Sequence, residues 1–234
     1  MIPFSDDNPV RITPYVNWLL IGLCVAAFAG EVALGSKGED VANLLGFIPA
    51  TLLHPFDTQS LVAAYPALLT IFTSLFVHGG LMHLGGNMLY LWVFGNNVED
   101  AMGHARYLLF YLLCGVAAAL TMAFISPYSL IPVIGASGAI SGVLGAYVLL
   151  YPRAKVRVIV PLGIIFFPFR IGAMWVVGFW FVLQLFNAVV SDASQPGVAW
   201  WAHVGGFLVG AALTPVLKSG EFALFGEPRR GPWG

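Results

Sequence analysis

The sequence predicts an all-α membrane protein, a bundle of six transmembrane helices with a long membrane-associated first external loop. Three observations lead there. Of its 234 residues, 59% are hydrophobic and 9% charged, where a soluble domain carries about 25% charged residues. Apolar runs near the roughly 20 residues needed to cross a bilayer recur along the chain. Each must be helical, since an open strand in lipid leaves backbone N–H and C=O groups without partners. The cations also segregate: with six spans and the N-terminus inside, all ten Lys and Arg residues except Lys37 fall on the cytoplasmic side, taking Arg170 as interfacial.

Met1 to Thr13 carries Asp6 and Asp7 and lacks a basic n-region, so Tyr15–Leu34 reads as a retained first span and not a cleaved signal. Residues 1–14 form a cytoplasmic N-terminus. Gly35–Val77 is the external loop, its latter half lying in the interface or dipping between helices. Leu61–Val77 is nearly long enough to span, but Pro66 interrupts it, and counting it would put Arg106, Arg153, Lys155 and Arg157 outside. Leu81–Gly95 is a short second span, Ala105–Ile125 the third and Gly135–Tyr151 the fourth. Val158–Phe169, with Pro161 and Pro168, reads as an interfacial approach to the fifth span, Ile171–Val190; Trp201–Leu217 is the sixth. Residues 15–217 thus make one domain, and 218–234, with Arg229 and Arg230, are expected to form a mobile cytoplasmic tail. Cys24 and Cys114 lie in apolar runs without metal-ligand spacing, so neither a disulfide nor a metal site is expected. A formal charge of -1 offers no concentrated basic surface for nucleic acid.

Two glycine-rich segments carry the chemistry. In Gly135-Ala136-Ser137-Gly138-Ala139-Ile140-Ser141-Gly142 a serine stands among small residues where an apolar helix begins, leaving room for a substrate backbone. The same run also reads as a packing face, with Gly138 and Gly142 at small-xxx-small spacing. In Ala202-His203-Val204-Gly205-Gly206 a histidine sits near the start of another apolar helix, which carries the pair Gly206 and Gly210. Ser137 and His203 can meet across such a close helix contact as nucleophile and base. Spans two, four and six all start from the external side, so His83, Ser137 and His203 share a depth within roughly 10 Å of their helix starts. Ionisable groups at that depth face a bundle interior or an aqueous cavity. His83 and Asn87, four apart on one helix face, bring ring N–H and amide N–H groups suited to an oxyanion. No Asp or Glu lies in the outer halves of these spans, which points to a dyad and not a triad. His54 and His104 have no partner by spacing.

Together with His78-Gly79-Gly80-Leu81-Met82-His83-Leu84-Gly85-Gly86-Asn87, these segments resemble the rhomboid family of intramembrane serine proteases in its bacterial six-span form, from about Phe72 to Leu217. The resemblance implies a catalytic dyad of Ser137 and His203, and an oxyanion site of His83, Asn87 and the Ser137 backbone N–H. It gives His78 a loop-anchoring role and Gly135, Gly138 and Gly206 structural roles beside the site. No cofactor is expected. The implied substrates are membrane proteins cut near the external end of a transmembrane segment, after a small residue. The implied location is a bacterial inner membrane, with both termini cytoplasmic.

Two positions depart from the family pattern. Where the family commonly has a Trp-Arg pair before the position of His78, this chain has Leu69-Thr70, so a charged link from Glu99 to a loop arginine is absent. Four residues after Ser137, where an aromatic often stacks on the catalytic histidine, stands Ser141, and His203 is expected to lose that platform. Two other classes of function compete. A catalytically inactive rhomboid-like binder or chaperone of transmembrane segments predicts loss of Ser137 or His203. A channel or transporter needs polar residues along the whole path, whereas here they cluster at one end.

Overall fold

A computed structural model describes residues 1–35, 37–55, 65–162, 165–193 and 195–226. Its helices are α1 (Tyr15–Ala33), α2 (Lys37–Leu45), α3 (Pro49–Leu53), α4 (Ala67–Thr73), α5 (Leu81–Tyr90), α6 (Asn96–Met102), α7 (His104–Ile125), α8 (Ser137–Leu150), α9 (Ala173–Val190) and α10 (Trp200–Leu217). Four of them, α1, α7, α9 and α10, are long and apolar enough to cross a membrane. Helix α5 runs into α6 through a π-helical turn at Leu91–Gly95. A π turn leaves a carbonyl without its usual helical donor, and the Asn17 side chain of α1 donates to Leu91 O at 3.0 Å. Tyr107 donates in turn to Asn17 Oδ1 at 2.8 Å, so both ends of the Asn17 amide are paired.

Helix α8 is the axis of the molecule. All ten of its residues from Gly138 to Tyr147 are buried, whereas α9 turns Trp175, Phe179, Val182, Phe186 and Val189 outward. Lipid is as apolar as these side chains, so helices in a membrane associate through close packing. Glycines supply it here. A Cβ on Gly206 of α10 would run into the Gly138 carbonyl, and one on Gly210 into the Gly142 carbonyl. Gly138 itself points elsewhere, since its Cβ would lie 2.5 Å from Ala118 Cβ of α7. The expected small-residue contact between α8 and α10 is therefore real, but Gly138 enters it through its backbone.

The segment between α1 and α5 ties itself to the residues before α8. Phe47 and Val133 exchange backbone hydrogen bonds at 3.0 and 2.7 Å, and Gly135 N donates to Ser74 O at 2.8 Å. From Ala67 onward Leu61–Val77 packs one face inward, with Ile71, Leu75 and Val77 buried and Leu68, Leu69 and Phe72 exposed; 56–64 lie outside the described residues.

At the opposite end of α8 the expectation of a simple interfacial approach over Val158–Phe169 is corrected. Strands β1 (Ile2–Asp6), β2 (Lys155–Leu162) and β3 (Ile165–Gly172) form an antiparallel sheet in the order β1-β2-β3. Exposed Lys155 and Arg157 alternate with buried Val156 and Val158, the period-two pattern of a half-buried strand. That pattern covers only four residues before an unbroken apolar run obscures it. Asp6 fastens the sheet to the bundle by accepting from Tyr147 Oη and Asn97 Nδ2. The expectation of a mobile tail is also corrected over 218–226. Ser219 N donates to Ala101 O at 2.8 Å, Phe222 is buried, and Arg11 pairs with Glu221 at 3.0 Å. Residues 227–234 lie outside the described residues.

Glu99 lacks the loop arginine and is fully buried nonetheless. Its carboxylate accepts the N–H groups of Val16 at 3.0 Å and Asn17 at 2.7 Å, and pairs with the His104 ring. These N–H groups belong to the first turn of α1, which has no intrahelical acceptors of its own. His104, partnerless by spacing, thus has a partner in space. Glu99→Ala should destabilise the bundle by about 2–4 kcal/mol, leaving two buried donors unpaired. Thermal unfolding in detergent checks this; a midpoint equal to that of the parent contradicts it.

Candidate active site

Ser137 is the first residue of α8, and its position is set by the turn before it. Gly135 adopts φ +108°, a conformation open to glycine, and a Cβ there would lie 2.6 Å from His83 Nε2. Gly135 is therefore required twice, by backbone conformation and by the imidazole that occupies its side-chain space. The Ser141 hydroxyl donates to Ser137 O at 2.6 Å, adding a side-chain bond to the first turn.

The serine meets its expected partner. Ser137 Oγ lies 2.8 Å from His203 Nε2, though the two residues are 66 apart in sequence. Ser137 is half-buried and His203 is 8% exposed. The other ring nitrogen, Nδ1, lies 2.7 Å from Gln184 Oε1 of α9. No carboxylate takes that place. Gln184 is the site residue that the sequence reading missed, and its signal was an amide in the middle of an apolar helix, where an unpaired amide is costly.

His83, Asn87, Gly135, Ser137, Gly138 and His203 all line one cavity of about 620 Å³. Asn87 is 8% exposed, and its Nδ2 is buried without a hydrogen-bond partner. An amide nitrogen left so in the cavity that Ser137 lines has its donors free for an incoming acceptor. Gly206 stands behind the cavity, against the Gly138 carbonyl. His78 lies apart from the Ser137–His203 contact, with its ring 5.1 Å from that of His83. Its Nδ1 bonds to Phe76 O at 3.0 Å and its backbone N–H donates to Glu31 Oε1 at 3.3 Å, tying the loop to α1. Burial pushes the His78 imidazole down to about 4, so the ring is neutral at pH 7.

The comparisons with known proteins fall on the same segments. The family description "Rhomboid domain" matches residues 66–220. The chain belongs to the rhomboid family. It is 32% identical over 151 residues to "Rhomboid protein 1, mitochondrial" of Saccharomyces cerevisiae, covering 61% of this chain and 40% of that one. It is 34% identical over 158 residues to "Rhomboid protease GluP" of Bacillus subtilis, covering 65% of this chain and 27% of that one. With "Inactive rhomboid protein 1" of Drosophila melanogaster it shares 28% identity over 123 residues, 53% of this chain and 8% of that one. This rhomboid thus spans less than half the length of each of these relatives.

Within the family pattern, the departure at Ser141 is met from another helix. The Trp180 ring of α9 lies 6.1 Å from that of His203 at 32°, and Trp200 approaches it edge-on at 6.0 Å. Ser141 gives His203 no platform from α8, as expected, and the ring's aromatic neighbours are Trp180 of α9 and Trp200 of α10. In this rhomboid, Trp180 and Gln184 stand four apart on α9, and both face the same imidazole.

Proposed function

We propose that this rhomboid is an intramembrane serine endopeptidase that cleaves transmembrane segments of membrane proteins near their external end. The observation that carries the reading is the 2.8 Å contact of Ser137 Oγ with His203 Nε2 in a cavity that also holds the unpaired Asn87 amide. Ser137 Oγ attacks the scissile carbonyl as its proton passes to Nε2. The carbonyl oxygen becomes an oxyanion that accepts hydrogen bonds from His83, Asn87 and the Ser137 N–H. His203 then gives its proton to the leaving amine, and water, deprotonated by the same nitrogen, releases the acyl group from Ser137.

The topology behind this reading has six spans, α5 through α6 being the second and α8 the fourth, with both termini cytoplasmic. Ser137 begins α8 at one end, while the sheet with Arg157 and Arg170 packs at the other, in keeping with cations on the cytoplasmic side. Helix α8 is only 14 residues long, about 21 Å at helical rise. A helix shorter than the membrane core leaves Ser137 below the external surface yet within reach of water. A substrate passes between helices to reach it, with α5 and α9 as the movable wall, and must unwind there to free its carbonyls.

Cleavage of a reporter protein with a single transmembrane segment tests the topology. Mass spectrometry of the fragments is expected to place the cut near the external end, after a small residue. A cut at the cytoplasmic end contradicts the orientation. A catalytically inactive rhomboid, as the Drosophila relative is named, would leave the reporter whole.

A further inference from the structure

We propose that Gln184 is a positioning residue that holds the catalytic tautomer of His203. The inference rests on the protease reading, and it extends that reading to a helix outside the dyad. A neutral imidazole carries one N–H, and Nε2 accepts the serine proton only when that N–H sits on Nδ1. Gln184 Oε1, 2.7 Å from Nδ1, is an acceptor in the right place.

The amide orientation follows from its other end. Gln184 Nε2 lies 3.4 Å from Trp180 O, one helical turn back on α9. Turned over, the amide would set its oxygen against that carbonyl, acceptor against acceptor, and its N–H₂ against His203. Only the orientation with Oε1 toward Nδ1 gives both ends a partner, and that orientation demands a proton on Nδ1. Gln184 is 7% exposed, so the imidazole has little access to water as a substitute acceptor.

The choice of an amide has a physical reason. A carboxylate would do the same orienting work but would place a charge among apolar helices, where ionised side chains are costly. Gln184 supplies the acceptor dipole without the charge. It touches neither the substrate nor the reacting serine, and acts through His203.

The test uses the full chain in detergent with Gln184→Leu and Gln184→Glu. Gln184→Leu keeps the bulk but removes the acceptor, and is expected to lower kcat roughly 10–100-fold with KM unchanged. Gln184→Glu restores an acceptor and should recover most of kcat. Nitrogen NMR of labelled histidine reads the tautomer directly: His203 is expected as Nδ1–H in the parent, and as a mixture or Nε2–H in Gln184→Leu. Parent kcat in Gln184→Leu, equal losses in both variants, or Nε2–H in the parent would each overturn the proposal. The NMR measurement needs no turnover and, for the parent, no variant. Failure of the protease reading therefore leaves the tautomer assignment to be judged separately.

Discussion

Ser137→Ala is expected to abolish cleavage of a transmembrane reporter while leaving the protein folded. The reason lies in what the hydroxyl does. Its hydrogen bond is to His203 Nε2, while the first turn of α8 is held by the Ser141 hydroxyl on Ser137 O. Removing Oγ thus takes away the nucleophile and little of the packing, and the rate should fall by roughly 10⁴-fold or more. His203→Ala should lose as much, because nucleophile and base act as one unit and removing either alone disables both. It differs from the serine variant in stability. His203 is buried against Gln184, and its loss leaves Oε1 without a donor, a destabilisation of about 1–3 kcal/mol. Cleavage rates and thermal midpoints in detergent separate the two effects. Undiminished cleavage by either variant contradicts the dyad.

Gly206→Ala should lower the rate as well, by less than loss of either side chain of the dyad, though Gly206 touches no reacting atom. A Cβ at 206 meets the Gly138 carbonyl, one residue from the nucleophile, and backbone inside a helix has no rotamer by which to retreat. The helices α8 and α10 must part, separating Ser137 from His203. A misplacement of about 1 Å is enough to cost roughly 10²-fold in rate. Overpacking also lowers stability by about 1–3 kcal/mol, and Gly206→Leu should do more. Gly138→Ala is the instructive companion. Its new methyl meets Ala118 Cβ on α7 at 2.5 Å, a side-chain obstacle on a different helix. It should harm activity less than Gly206→Ala. Parent-like activity and thermal midpoint in Gly206→Ala would contradict the close-packed contact.

The long apolar helices and the Ser137–His203 contact were legible in the sequence for identifiable reasons. Long apolar runs have one backbone solution in lipid, so α1, α7, α9 and α10 announce themselves. Ser137 and His203 were legible because each sits beside glycines whose absence of side chain lets backbones approach, and that spacing is local. What stayed hidden is non-local or masked. Gln184 is one amide in an apolar helix, and its meaning depends on a ring 19 positions away that only packing brings within 2.7 Å. Trp180 reads as one more lipid-facing aromatic until α9 is placed against α10. The β2–β3 hairpin is masked by its own apolarity, which blurs the period of two into a run. Glu99 was read through the missing arginine, whereas its carboxylate accepts backbone N–H groups, which have no sequence signature at all.

The most direct test of the central claim is labelling of the purified protein with a fluorophosphonate probe, followed by mapping of the modified peptide. The phosphorus takes the place of the scissile carbonyl carbon, fluoride leaves, and the serine oxygen becomes bonded to phosphorus only if a neighbouring base removes its proton. The account predicts a single label on Ser137 in the parent, and loss of that label in His203→Ala. A label on another residue, a label on Ser137 that survives His203→Ala undiminished, or no label in the folded parent would contradict it.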